Sequence, residues 1–333
     1  MKLLHIIANE NDKTRVERVM RYMPDKFEHK YVMPSEIESV EADLIHAHSW
    51  FVCGQTTCQY ALAKNIPYIV DVVQSDLQQF RKSLFGKQTA ERVLSEAARV
   101  VFTSQAQENF LAQHLPSKVA DTVFAKSTLF YEPLDTFWFD NQHIHPPTAL
   151  VHIKLLYVGP LTEESRIEMA LHAMKKLQRH NYPVTLTAVE VADGNNTDQR
   201  FRKKMLSEAE ANASFRMSNA GTDEQLREIY RNHDILLLPN ADSTRLFAEA
   251  LTQGVPVIYA RDSIADGIFK EGLAGYAVNF KSTDELARTI LTVSESFGTI
   301  EQHIIRLQPF SEFDGREQAR HYEHLYENVL TRK

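Results

Sequence analysis

Short apolar runs alternate with amphipathic stretches along this chain, and that alternation is what most limits the folds open to it. In the amino half, KLLHIIA (Lys2 to Ala8), HKYVM, DLIHAH (Asp43 to His48), PYIVDVV (Pro67 to Val73) and RVVFTS (Arg99 to Ser104) read as buried strands. Thr14 to Met23, Trp50 to Lys64 and Gln88 to Ala97 read as the helices between them. Repeated strand and helix units of this kind predict an α/β architecture built on a doubly wound parallel sheet.

The pattern breaks in DNQHIHPPTA, from Asp140 to Ala149, a polar and proline-containing stretch that reads as a linker. A second set of strands follows: VHIKLLYVG (Val151 to Gly159), VTLTAVE (Val184 to Glu190), SFRMSN, DILLLP (Asp234 to Pro239), VPVIYA (Val255 to Ala260) and GYAVNF (Gly275 to Phe280). Helices are expected near Ile167 to Arg179, Thr197 to Glu210, Asp223 to Asn232 and Thr283 to Ser294, with a last one in REQARHYEHLYENVL. Two α/β halves joined by one linker predict a cleft between domains, a common place for a ligand.

Composition removes several classes. At 333 residues, 43% hydrophobic and 24% charged, the chain suits two ordinary globular domains. It has no apolar run of the length a membrane helix needs, and MKLLHIIANENDK turns polar too soon for a secretory signal, so a cytoplasmic protein is expected. Cys53 and Cys58 are too few for a disulfide framework or a cysteine zinc cluster. A net charge of −7 argues against nucleic acid as partner. Glycine numbers 11, where average usage would give roughly 23; phosphate-cradling loops want glycine for close backbone approach.

DILLLPNADSTRLFAEALTQGVPVI, from Asp234 to Ile258, reads as strand, polar loop, short helix and second strand, with Glu249 at the start of the helix. A helix N-terminus outside the carboxyl ends of parallel strands offers N–H groups and positive dipole to an anion. Pro239, Leu246-Phe247, Glu249-Ala250-Leu251 and Gly254-Val255-Pro256-Val257 resemble the donor segment of the retaining GT-B glycosyltransferases of family 4, or group 1. DLIHAHSWF, ARVVFTSQAQENFL, LFYEPLDTFWF and LLYVGPLTEES are similar, in order and spacing, to further segments of that family.

The resemblance implies two Rossmann-like doubly wound domains with a cleft between them: an acceptor domain over 1–145, a nucleotide-sugar domain over 150–310, and a terminal helix over 311–333 crossing back to the first. It implies sugar transfer from a nucleotide-sugar donor to a saccharide or lipid-linked acceptor, with no metal and no cofactor, in surface polysaccharide assembly. The chain departs from the family where Ala241 replaces the first donor-site glutamate and where Pro160 and Ser165 replace the phosphate-binding arginine and lysine. A catalytically inactive relative serving as a binding or scaffolding subunit is therefore the alternative reading.

The resemblance places Glu249 on the ribose hydroxyls, since an acceptor-only carboxylate can take both at once; a first-turn glutamate favouring the helix dipole is the plainer reading. Gly159, Arg166, Ser243, Thr244, Leu246 and Phe247 are the other expected donor-binding residues. Arg166 and Arg245 are the candidates to replace the lost phosphate charge. Asp242 stands one residue from the missing acid, although Asp242 to Thr244 are equally an ordinary turn. His46 and His48 end a strand on one face with Ala47 opposite, and His48 is the candidate for proton handling or sugar contact. Gln74 and Asp76 stand near the place of a family histidine, and Asn9 to Asp12 fill a loop that usually carries two glycines. Arg15, Arg18 and Arg21 share one flank of a helix whose apolar stripe is Val16, Val19, Met20 and Met23; core packing and peripheral contact with an anionic membrane are both open.

Overall fold

The computed structural model describes residues 1–83, 86–143, 150–190, 198–239, 244–261, 263, 265 and 267–331. The chain divides into two compact units, Met1–Thr136 with Ser311–Lys333, and Phe137–Phe310.

The first unit holds a six-stranded parallel sheet. Its strands are β1 (Lys2–Ile6), β2 (Glu28–Val32), β3 (Leu44–Ala47), β4 (Tyr68–Val72), β5 (Arg99–Phe102) and β6 (Ser127–Leu129), in the order β2-β1-β3-β4-β5-β6. Successive residues of β1, β3, β4 and β5 enter different cores, as the two-residue period requires. Leu4, Ile6, Ile45, Ala47, Val70, Val72, Val100 and Phe102 belong to one. Leu3, Leu44, Ile69 and Val101 belong to the other, where they meet Val16, Val19 and Met20 of the Glu10–Met20 helix and Tyr322, Leu325, Tyr326 and Val329 of the Gly315–Leu330 helix. Burial on both faces explains why these strands are continuous apolar runs. Each fully buried leucine or isoleucine contributes about 1.5–3 kcal/mol relative to exposure.

Two sequence readings are corrected here. Glu10 to Asp12 open the first helix instead of forming a loop, because Asn9 caps it by accepting from the Asp12 backbone N–H at 3.0 Å. Asp76 faces inward on the Gln74–Lys82 helix, fully buried, where its carboxylate accepts from the Ser49 hydroxyl at 2.6 Å and from the backbone N–H groups of Trp50, Phe51 and Val73. It ties down the segment after β3.

The second unit holds β7 (Ile153–Gly159), β8 (Val184–Glu190), β9 (Phe215–Asn219), β10 (Ile235–Leu238), β11 (Val257–Ala260) and β12 (Gly275–Val278), all parallel, in the order β12-β11-β10-β7-β8-β9. The order reverses between β7 and β10, the switch point where open α/β sheets place ligands. Gly275 is required by packing: a Cβ there would fall 1.7 Å from the Val257 carbonyl oxygen on the neighbouring strand. Among the described residues no helix is long and apolar enough to cross a membrane.

Candidate functional site

In the first unit, the alternation that sorts the apolar residues also collects polar ones. His5 on β1, His46 on β3 and Asp71 on β4 share the face of Leu3, Leu44 and Ile69, and His48 follows β3 with the same parity. All four side chains are buried. His46 Nε2 lies 2.7 Å from Asp71 Oδ1, and His48 Nδ1 lies 2.7 Å from Asp71 Oδ2. His48 Nε2 faces His5 Nδ1 at 2.9 Å, and His5 Nε2 faces His29 Nδ1 at 2.9 Å. Tyr326 Oη meets His46 Nδ1 at 2.8 Å, and Arg15 Nη1 stands 3.8 Å from Asp71 Oδ2.

One charge fixes the protons along this network. Burial opposes ionisation of Asp71, yet the two imidazoles beside it hold its carboxyl well below the usual carboxylate range. An ionised carboxylate only accepts, so His46 donates from Nε2 and His48 from Nδ1. The remaining nitrogen of His48, which burial keeps neutral, is then an acceptor: His5 donates from Nδ1 to His48, and His29 donates from Nδ1 to His5. These assignments follow from the network, since hydrogens are not observed. The ribbon ends at His29 Nε2, a buried nitrogen without a partner among the described residues. Burial, aided by the neighbouring imidazoles, pushes His5 well down and His48 down to about 3.

His5, His46 and His48 are also the group whose ligand atoms lie within 4.8 Å of one another, as a metal site would need. Their geometry suits hydrogen bonds better. The His5 and His48 rings are 15° from parallel with centroids 5.2 Å apart, and their facing nitrogens stand at hydrogen-bond distance.

The donor-loop residues lie in the second unit. Asn240, Ala241, Asp242 and Ser243 fall outside the described residues. Thr244 is fully buried as the N-cap of the Arg245–Thr252 helix, with its hydroxyl unpartnered among the described residues. That helix begins at Arg245, so Arg245, Leu246 and Phe247 are helical and Glu249 sits a full turn inside, not at its start. Phe247 is core, stacked on Phe269 and edge-on to Tyr259, while Leu246 is half-buried. Glu249 is fully buried with both oxygens engaged: Arg245 Nε donates at 2.5 Å and Tyr230 Oη at 3.2 Å. Burial raises the Glu249 carboxyl, and the Arg245 charge opposes that shift.

After β7 the chain turns tightly. A Cβ on Gly159 would lie 2.7 Å from Tyr157 Oη, which donates to the Pro160 carbonyl at 2.6 Å. The space this glycine leaves is therefore used by the chain's own tyrosine. Ser165 is buried and bonds the Thr162 carbonyl. Arg166 adopts φ 53°, ψ 21° at the start of the Ile167–Arg179 helix, and its exposed side chain lines a cavity of about 590 Å³. A non-glycine residue in this left-handed region is uncommon and carries strain.

Residues 144–302 match the family model of the glycosyl transferases group 1. The chain carries a group 1 glycosyl transferase domain. Solved glycosyltransferase structures share its GT-B fold across the chain. Sucrose-phosphate synthase from Thermosynechococcus elongatus aligns with a TM-score of 0.74 at 13% identity, covering 100% of both chains. HepE from Anabaena, in complex with UDP and glucose, aligns with a TM-score of 0.71 at 13% identity, over 98% of this chain and 99% of that one. A glycosyltransferase from Rickettsia africae gives a TM-score of 0.71 at 11% identity, over 100% of this chain and 99% of that one. No curated protein matches the chain in sequence.

Within the glycosyl transferase domain the structure brings Arg245 and Glu249 together and puts Arg166 on a cavity wall; His48 belongs to the first unit. Sequence reasoning missed the partners. His5, His29, Tyr326 and Tyr230 carried one signal, polar residues standing in otherwise apolar strand or helix faces. The arginine flank does not stay intact: Arg15 turns toward Asp71, with its side chain 17% exposed, and Arg21 pairs with Asp135 at 3.6 Å.

Proposed function

We propose that the chain transfers a sugar, with retention of configuration and without a metal, from a nucleotide-sugar donor to a saccharide or lipid-linked acceptor. Glu249 is the observation that carries this reading: a buried carboxylate, one turn into the helix after β10, in a domain of the glycosyl transferase family. The HepE complexes with UDP and with UDP-glucose support a uridine nucleotide as the first donor to try. His48 follows β3, beside the strand-order reversal between β1 and β3, but it is buried with both ring nitrogens bonded to Asp71 and His5, so it would act toward the acceptor only by positioning its neighbours. Surface polysaccharide assembly rests on the family resemblance, a cytoplasmic setting on the composition of the sequence, and any peripheral membrane contact on the Arg15, Arg18 and Arg21 flank, to which Arg15, turned toward Asp71, would not contribute.

One observation favours a second reading, a binding or scaffolding subunit without catalysis. Arg245 and Tyr230 already take both oxygens of Glu249, and Ala241 stands in place of the first acid. Thermal shift against UDP, GDP, ADP and their sugar conjugates decides between them, with Glu249→Gln beside the wild type. Stabilisation of several degrees by one nucleotide, reduced in the variant, together with sugar transfer from its conjugate, supports the enzyme. Absence of any shift in well-folded protein sinks the donor reading, and binding without turnover favours the subunit.

A further inference from the structure

Arg245, one of two candidates to replace the missing phosphate-binding charge, is bonded to Glu249. The other, Arg166, stands on the wall of the 590 Å³ cavity with Arg261, which follows β11, and Lys281, three residues past β12. Ser263 and Asn279 line it too, and among the described residues no carboxylate does. Three cations in one recess, in a chain of net charge −7, define a local anion preference.

Four further features point the same way. The Arg166 guanidinium and the Lys281 ammonium have no partner among the described residues. Arg261 Nη2 bonds Glu285 at 3.0 Å and the Ala277 carbonyl at 3.3 Å, which orients the guanidinium while leaving donors over. Ser263 Oγ is a buried hydroxyl without a partner among the described residues. The Ile167–Arg179 helix has no side-chain cap at its N-terminus, where Arg166 holds its left-handed conformation. A cavity of this size suits a small-molecule site, and a hydroxyl, an amide and three cations suit phosphoryl oxygens.

We propose that this cavity is a diphosphate site, in which Arg261 and Lys281 supply from the ends of β11 and β12 the charge that Pro160 and Ser165 do not. Its occupant is then the diphosphate of the donor; this deepens the reading given under Proposed function and rests on it. The residues that would take the phosphates then stand two and three strands along the sheet from β7, while the ribose acid keeps its place.

Calorimetric titration of the full chain with inorganic pyrophosphate, uridine and UDP, with GDP in parallel, tests the proposal against Arg261→Gln/Lys281→Gln. The expected result is binding of pyrophosphate and one nucleoside diphosphate that weakens in the variant by at least about tenfold, with a shallower salt dependence. Uridine, lacking phosphates, should bind both proteins alike. Equal pyrophosphate affinity in the two proteins, or none in the wild type, overturns the proposal. Pyrophosphate binding that the variant loses, without binding of any nucleotide, supports the cavity as a diphosphate site and removes the donor reading. Nucleotide binding that the variant keeps removes the diphosphate site and preserves the donor reading. Should loss of the Glu285 contact lower the melting temperature, Arg166→Gln/Lys281→Gln, which breaks no bond among the described residues, carries the same comparison.

Discussion

Arg245 and Glu249 are four residues apart on one helix and joined Nε to Oε1 at 2.5 Å, with the carboxylate fully buried and the arginine side chain 29% exposed. Removing one partner strands the other. Arg245→Ala is expected to cost about 2 kcal/mol, because it leaves a buried carboxylate short of its charged donor. Glu249→Gln added to it should restore part of that loss. Urea unfolding of the single and double variants measures both; a single variant as stable as wild type would show that the pair contributes nothing.

The second prediction concerns pH. Burial, with the neighbouring imidazoles, holds His5 and His48 below their ordinary range, His48 at about 3. Above pH 6.5 both folded and unfolded chains carry them neutral. As pH falls below 6.5 the unfolded chain takes up protons that the folded one refuses, so stability is lost, at about 1.4 kcal/mol per pH unit for each histidine. Asp76, raised by burial to about 7, and Glu249, raised as well, act with opposite sign. Comparing wild type with His48→Gln cancels them. Any stability advantage of wild type at pH 8 should shrink steadily from pH 6.5 to 4.5, and a pH-independent difference would contradict the buried neutral state.

Proton positions give the third. Nitrogen NMR of uniformly labelled protein should find His5, His29 and His48 protonated at Nδ1 and His46 at Nε2. The same experiment on Asp71→Asn should show at least one imidazole changing tautomer, since an amide cannot accept at both of its atoms. An unchanged pattern would mean that the aspartate does not set the direction.

Gly275→Ala supplies a packing test. Its methyl would meet the Val257 carbonyl oxygen at 1.7 Å, and the backbone of a paired neighbouring strand cannot yield as a side chain would. The expected loss is about 3 kcal/mol or failure to fold, whereas Gly221→Ala, whose nearest neighbour is Gln225 at 3.5 Å, should be nearly neutral. Melting temperatures compare the two directly.

The strand runs were legible because strands covered on both faces leave uninterrupted apolar letters. Only β6, three half-buried residues, escaped. Helix starts were less legible: polar letters at Glu10 to Asp12 fit a loop or a capped first turn equally, and only the Asn9 bond decides. The site divided in the same way. Glu249 could be singled out by its neighbours in sequence, but its bond to Tyr230 spans 19 residues and the His46 bond to Tyr326 spans 280, distances at which no local pattern operates. Arg261 and Lys281 were hidden for another reason: each reads as one more surface cation until the sheet order puts β11 beside β12.

The Gly315–Leu330 helix supplies Tyr322, Leu325, Tyr326 and Val329 to a core whose other members come from the first 101 residues. The first 310 residues hold everything the second unit needs, while the first unit without the residues that follow has one apolar wall uncovered and His46 lacks its tyrosine. The order of maturation during synthesis runs opposite to the order of the chain. The half made first is the half completed last, and in the interval its open face is what a chaperone would find.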